Sequence, residues 1–353
     1  MAEQFSIHIA ALTGGWNTPS TRFRVRQYIQ PLSRFGIHVR EYIPRWGESC
    51  GLPSPFKMAA RIPALFQSRT ADLIWLSRDL VQGYPTFERL LKRPRILDVD
   101  DAIWLSFPLG RIGQPWTARG MDAVIAGNDY LADYYSRYCR TIFVVPTGID
   151  TQRFTPKPAG GDTDGPFTIG WTGLRSNYKY LRLIEPVLQR FLEAHPDSRL
   201  LLISNEPWKS DLISPERIEF HPWTPAEENR LLHRMTVGLM PLPDDPWTRG
   251  KCSFKMLQYM AAGLPVVVSP VGMNKQVLQK GTLGFAAQTP DEWYDALETL
   301  YQNPSLRQSM GRTGRQVVEQ FFSTDILAER LAEIFRLIAS SADATGETSS
   351  PPR

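Results

Sequence analysis

The sequence predicts an α/β fold made of two doubly wound domains, each a parallel sheet covered by helices on both faces. Three observations predict it. Short apolar runs alternate with helical patterns along nearly the whole chain. The alternation breaks at a Pro-, Gly- and Asp-rich stretch and then starts again. At 353 residues the chain also exceeds the size at which one hydrophobic core keeps growing. Strands that alternate with helices need crossover connections, and these make parallel sheets buried on both faces.

FSIHIAAL (5–12) opens the series and ends near Gly14-Gly15. A helical pattern follows from about Ser20 to Phe35, where Gly36 stops it. IHVREYI, ADLIWL, PRILDVD, DAVIAG and TIFVVP read as the next strands. TPKPAGGDTDGP (155–166) has almost no apolar content and reads as the linker. FTIGWTG, RLLLIS, RIEFH, VGLMPL, PVVVSP and LGFAA then repeat the strand pattern, with helices between them. Two helical stretches close the chain, at 304–320 and 324–339. The predicted organisation is a first domain at 1–154, a linker at 155–166 and a second domain at 167–322. A helix at 323–339 packs back on the first domain, and SSADATGETSSPPR (340–353) is a disordered tail. Ligands of such sheets bind beyond the carboxyl ends of the strands, which directs attention to the strand-to-helix loops and to the cleft expected between the domains.

Composition narrows the class. Hydrophobic residues make up 42% and charged residues 22%, which is globular rather than disordered. A net charge of +4 without a run of like charges argues against a nucleic-acid partner. Arg22, Arg24, Arg26, Arg34, Arg40 and Arg45 nevertheless crowd the first fifty positions, a face suited to phosphates or to peripheral contact with an anionic membrane. Cys50, Cys139 and Cys252 have neither metal-ligand nor disulfide spacing, which suggests a reducing compartment. The first residues, MAEQFSIHIAAL, lack the basic and long apolar regions of a signal peptide. No apolar stretch approaches the ~18 residues of a membrane span. The expected location is the cytoplasm, including the inner face of a membrane.

Chemistry concentrates in GKCSFKMLQYMAAGLPVVVSP (250–270). Ser253 reads as the N-cap of a helix to Ala262, Gly263 as its stop, and Pro265 as the opening of a buried strand. A helix N-terminus flanked by Lys251 and Lys255 suits a diphosphate. Gln258 lies on the face of Lys255, one turn deeper, and suits a ribose hydroxyl.

This segment resembles the nucleotide-sugar-binding segment of glycosyltransferase family 4, a large family of retaining transferases with the GT-B fold. There the helix carries a Glu, then Ala-Met-Ala-x-Gly, then x-Pro-Val-Val. VVPTGIDTQRF (144–154), FTIGWTG, VGLMPLPDD and MGRTGRQVVEQFFS resemble further landmarks of the family in the same order, across residues 5 to 338. The resemblance implies two Rossmann-like domains facing across a cleft, a nucleotide-diphosphate sugar as donor, and transfer with retention. It implies a helix start (Ser253, Phe254, Lys255) on the diphosphate and no metal or other cofactor. The chain departs from the family where two glutamates stand seven residues apart: here the positions hold Gly250 and Gln258. Asp244, Asp245 and Arg249 in the preceding loop are the candidates to replace the first glutamate at the donor sugar.

Other loops fit the same scheme. In GWTGLRSNYKYL, Gly173 precedes a helix start that brings Arg175 and Lys179 toward phosphate. In HPWTPAEENRLL, Trp223 is a candidate lining for the base pocket, or a core residue. In LTGGWNTPSTRFRV, Gly14 and Gly15 permit close backbone approach to a ligand, with Arg22 and Arg24 beginning the helix. ILDVDDAIW carries Asp98-Val99-Asp100, a DxD pattern that binds a divalent metal in a different transferase fold. The two-sheet layout argues against that use. In family 4 this strand end holds a His or His-Asp near the reacting sugar, and Asp100 and Asp101 take those places, to steady developing positive charge or accept a sugar hydroxyl.

The expected function is therefore glycosyl transfer from a nucleotide sugar to an acceptor hydroxyl, with cations and helix N–H groups stabilising the leaving diphosphate. Glycan, lipid-linked and small-molecule acceptors are all compatible with the sequence, which is silent on oligomeric state. Two alternatives share the same cradle: a nucleotide-sugar epimerase of this shape, and a catalytically weak nucleotide-sugar-binding protein.

Overall fold

The computed structural model describes residues 6–16, 18–44, 54–157 and 165–346. Arg45, Cys50, most of the expected linker and residues 347–353 lie outside them. The chain divides into two compact units. The first contains the chain up to Gly148, Gly250–Cys252, and everything from Thr324 on; the second contains Ile149–Arg249 and Ser253–Ser323.

The first unit holds β1 (Ile7–Leu12), β2 (Ile37–Tyr42), β3 (Leu73–Ser77), β4 (Arg95–Val99), β5 (Ala123–Ala126) and β6 (Ile142–Val144). They form one sheet in the order β2-β1-β3-β4-β5-β6, parallel throughout. Its helices are α1 (Ile29–Ser33), α2 (Ser54–Gln67), α3 (Gly110–Ala118), α4 (Asp129–Tyr135) and α13 (Thr324–Gly346). β3 and β4 are buried at every position because helices cover both faces, which is why they read as unbroken apolar runs. The single helix expected over Ser20–Phe35 is instead a π turn (Thr21–Val25), a 3₁₀ turn (Arg26–Tyr28) and then α1. The wide turn accompanies a fully engaged Arg24 on its inner side, described below. Gly36, at φ 73°, ends the segment as expected.

α13 packs Leu327, Leu331, Phe335 and Ile338 into the core of this unit, with the Phe335 ring 5.0 Å from Trp75 of β3. It continues to Gly346, so residues 340–346 are helical rather than part of a disordered tail.

The second unit holds β7 (Thr168–Thr172), β8 (Arg199–Ser204), β9 (Ile218–Pro222), β10 (Val237–Met240), β11 (Val266–Val268) and β12 (Gly284–Ala286). They lie in the order β12-β11-β10-β7-β8-β9, again parallel. Its helices are α5 (Tyr178–Leu181), α6 (Glu185–Ala194), α7 (Glu228–Leu232), α8 (Pro246–Arg249), α9 (Phe254–Ala261), α10 (Met273–Leu278), α11 (Pro290–Gln302) and α12 (Pro304–Phe321). The chain runs outward from β7 to one edge, then returns through β10 to the other. The topological switch point therefore falls between β7 and β10, where the loops beyond the strand ends diverge and leave room for a ligand.

α9 is fixed against that point by Tyr259. Its ring lies where a side chain on Gly238 of β10 would sit, and its hydroxyl accepts a hydrogen bond from the Thr172 N–H at 2.9 Å. The Gly263 stop, at φ 74°, turns the chain toward β11.

Phe335→Ala removes the fully buried ring that seats α13 on β3. It should cost about 3–5 kcal/mol of first-unit stability, read as an earlier first transition in urea unfolding followed by tryptophan fluorescence.

Candidate functional site

Lys255, the second residue of α9, places its Nζ 4.5 Å from the centre of the Trp171 ring at the end of β7. The next loop residue, Gly173, abuts this amine so closely that an added Cβ would stand 2.6 Å from Nζ and 2.7 Å from the Trp171 ring. The lysine head thus lies at the carboxyl end of β7, beside the switch point and at the start of an eight-residue helix. First-turn N–H groups of a helix lack partners inside it, and the helix dipole adds positive potential there.

Ser253 holds the N-cap position, its carbonyl accepting the Leu257 N–H at 3.0 Å, but its side chain does not cap the helix. It adopts a left-handed conformation, φ 53° and ψ 20°, and its hydroxyl donates to Asn274 Oδ1 at 2.7 Å. Asn274 in turn donates to the Ser269 carbonyl at 3.0 Å. The hydroxyl at the expected cap position is therefore a tie between the loop and α10.

Gln258 is buried, and its Nε2 donates to Glu228 Oε1 at 2.8 Å. The same oxygen accepts the Trp223 indole N–H at 2.9 Å, while Oε2 accepts Arg153 at 2.7 Å. Gln258 and Trp223, expected to meet ribose and base, are thus first of all ligands of a buried carboxylate. Sequence reasoning missed Glu228. The available signal was its position on the face of Leu231 and Leu232, three and four residues on, where a glutamate is buried and needs partners.

Arg175 and Lys179 go elsewhere. Arg175 pairs with Glu206, and its N–H donates to Asn205 at 2.8 Å. Lys179 stands 5.0 Å above the Tyr180 ring. Both line a cavity of about 620 Å³ with Tyr178, Arg182 and Trp208, and neither Lys255 nor Gly173 lines it. The structure does not bring them together with Lys255 there. Asp244 pairs with Arg249 at 2.6 Å, and Asp245 accepts the Thr248 N–H at 2.7 Å, closing the start of α8. Asp245 is thereby a helix cap.

In the first unit, Asp100 and Asp101 follow β4 and share one cation. Arg78, a non-glycine residue at φ 62°, donates to Asp100 Oδ1 and Asp101 Oδ2, both at 2.6 Å. Burial works to raise the Asp100 carboxyl, but the Arg78 guanidinium outweighs it and holds Asp100 below the usual range.

Lys251 joins this cluster, with Nζ 3.7 Å from Asp101 Oδ1 and its carbonyl accepting Asn128 Nδ2 at 3.1 Å. Cys252 Sγ donates to the Asp100 carbonyl at 3.2 Å. Lys251 therefore belongs to the first unit with the aspartates, and Lys255 to the second. Gly250 explains the missing glutamate: an added Cβ would stand 2.8 Å from both the N and the Cβ of Ala102. No side chain fits there without backbone movement.

Arg24 is buried. It donates to Asp98 at 2.8 and 3.2 Å and to the Val145 carbonyl at 2.7 Å. This corrects its expected place in the acceptor or donor-sugar site, and it removes Asp98 from any metal-binding pair with Asp100. Arg22 keeps a half-buried position over the Phe23 ring, 4.7 Å from its centre. Gly14 and Gly15 are buried after β1, and the Gly15 N–H is taken up by Thr18 Oγ1 at 3.0 Å.

Residues 166–303 match the family model described as Glycosyl transferases group 1. Over 95% of this chain and 100% of the other, the fold matches sucrose-phosphate synthase from Thermosynechococcus elongatus with a TM-score of 0.71 at 15% identity. Anabaena HepE, solved in complex with UDP and glucose, matches over 94% of this chain and 99% of its own, with a TM-score of 0.70 and 13% identity. This chain is a glycosyltransferase of the GT-B fold. A curated relative, 23% identical over 83% of each chain, is the GDP-mannose-dependent monoacylated alpha-(1-6)-phosphatidylinositol monomannoside mannosyltransferase of Corynebacterium glutamicum.

The loop behind the aspartate cluster of this glycosyltransferase carries a titrating group. Burial pushes the Asp79 carboxyl up to about 7, against hydrogen bonds from Gln114 and the Gly83 N–H. A carboxyl raised from 3.8 resists ionising in the folded state while the unfolded chain ionises freely. First-unit stability should therefore fall as pH rises from about 4 to about 7 and stay level above. Asp79→Asn should flatten that fall in urea midpoints measured across the range. Gly250→Ala should lower stability by about 1–3 kcal/mol through overpacking, and Gly250→Glu should lower the melting temperature without raising turnover. A more active and equally stable Gly250→Glu variant would contradict the packing reading.

Proposed function

We propose that the enzyme transfers a sugar from a nucleoside-diphosphate sugar to an acceptor hydroxyl with retention, as a member of family 4 within the GT-B transferases. The observation that carries this is the Lys255 amine, set between Trp171 and Gly173 at the switch point and at the head of α9. An amine and helix N–H groups meet a diphosphate there without a metal ion. HepE, with the same fold, was solved with UDP and with UDP-glucose, and the curated relative uses GDP-mannose, so a nucleoside diphosphate is the common donor chemistry.

As the bond between the anomeric carbon and the diphosphate breaks, negative charge grows on the leaving oxygen. Lys255 is assigned to stabilise it. The acceptor hydroxyl attacks from the face the diphosphate leaves, and its proton passes to the departing phosphate oxygen. Asp100 and Asp101, held by Arg78, are assigned to the sugar, where a carboxylate steadies positive charge at the anomeric carbon. Lys251 is assigned to orient Asp101 rather than to hold the diphosphate. Buried Glu228 positions Trp223, on the base side, against α9 through Gln258. The curated relative's name contains a lipid-linked acceptor, and an acceptor of that class is the one to test first.

Incubation with UDP- and GDP-sugars, with and without lipid-linked acceptors, should yield a glycosylated product whose anomeric configuration by NMR matches the donor. An altered donor sugar formed without acceptor would instead identify an epimerase. Lys255→Ala should lower kcat/KM about a hundredfold, equivalent to about 2.7 kcal/mol. Gly173→Ala should raise the donor KM by pushing the amine off its position. Turnover of Lys255→Ala within about threefold of the parent would exclude the assigned role.

A further inference from the structure

α2 turns an unusual side to solvent. A helix packed on a domain buries its apolar stripe and exposes polar residues. On α2 the exposed positions include Pro55, Phe56, Ala59, Ile62, Pro63 and Phe66, with Phe56 and Phe66 56% and 59% exposed. The buried side holds Arg61, which donates to the Leu80 carbonyl at 2.8 Å and to the Thr13 carbonyl. The arginine is the anchor, and the aromatic rings face outward.

A second apolar segment hangs from the same loop. The Leu109 N–H donates to the Gly83 carbonyl at 3.0 Å, three residues beyond the one Arg61 holds. Around it Phe107 is 93% exposed and Ile112 65%, with Trp116 also outward. Both segments carry only positive charge: residues 54–70 contain Lys57, Arg61 and Arg69 and no acid, and residues 102–121 contain Arg111 and Arg119 and no acid. The cations sit beside the rings, with Arg69 4.9 Å over Phe66 and Arg89 4.0 Å over Trp116.

Scattered exposed apolar residues are ordinary, but clustered aromatic side chains beside cations suit the boundary of an anionic bilayer. The same charge disfavours a second copy of this face. Among the described residues no helix is long and apolar enough to cross a membrane.

We propose that the outer side of α2 and the 107–116 segment form a docking surface that seats the first unit on an anionic lipid bilayer. This inference does not depend on the donor or on the stereochemistry of transfer. The test is co-sedimentation of the full chain with vesicles of phosphatidylcholine alone and of phosphatidylcholine mixed equally with phosphatidylglycerol. Binding should favour the mixed vesicles and weaken with added salt. A Phe56→Ser/Phe66→Ser double variant should bind at least about tenfold more weakly at an unchanged melting temperature. A Lys57→Glu/Arg69→Glu variant should lose the preference for anionic lipid. Failure to sediment with either vesicle, or full binding by both variants, overturns the proposal. So does a vesicle-free dimer in sedimentation velocity that the phenylalanine substitutions dissolve, which would assign the face to a second copy.

Discussion

The ion pair between Arg24 and Asp98 organises the first unit. It sits in the core at 2.8 Å, and its arginine also holds the Val145 carbonyl at 2.7 Å beyond β6. Asp98 further accepts the Trp75 indole N–H at 3.2 Å, and Trp75 packs on Phe335 of α13. One buried carboxylate thus ties the helical segment after β1 to β3, β4 and the last helix. Two charges removed from water stay together because removing either leaves the other unpaired, which costs several kcal/mol. The arrangement makes the register of β4 unambiguous, and with it the direction in which Asp100 and Asp101 leave the strand.

The second unit uses a buried carboxylate in a similar way. Glu228 collects Gln258 from α9, Trp223 from the loop after β9, and Arg153 from the segment preceding β7. These contacts hold α9 against the loop after β9 and the segment before β7. The two positions at which the sequence differs from the paired glutamates expected from its resemblance to family 4 each have a local structural setting. Where the family has its second glutamate, Gln258 donates to a carboxylate supplied by α7. Where it has its first, Gly250 leaves no room beside Ala102.

Much of the fold was legible. Among the described residues, every strand coincides with one of the apolar runs to within a residue, β3 and β9 each running one position further, to Ser77 and Pro222. The inner strands β3 and β4 are clearest because a strand buried on both faces has no polar positions to blur its pattern. Gly36 and Gly263 were legible as stops because only a left-handed residue ends those segments cheaply. The break at Ser20–Phe35 was not, since a π turn has no composition of its own. The helix to Gly346 was hidden by the small polar residues of its last turns, which resemble a disordered tail.

The sequence by itself determined two doubly wound domains, the strands that carry the loops, and the transferase character of the segment around Lys255. Tertiary structure decided which charged residues are available to a ligand. Arg24, Asp245 and Gln258 looked like ligand-binding groups and are held by partners distant in sequence or, for Asp245, by its own helix. Lys255 met the Gly173 loop, while Lys251, four residues earlier, joined Asp101 in the other unit. A charge's role depends on what surrounds it within a few ångströms, and that neighbourhood exists only after the chain has folded.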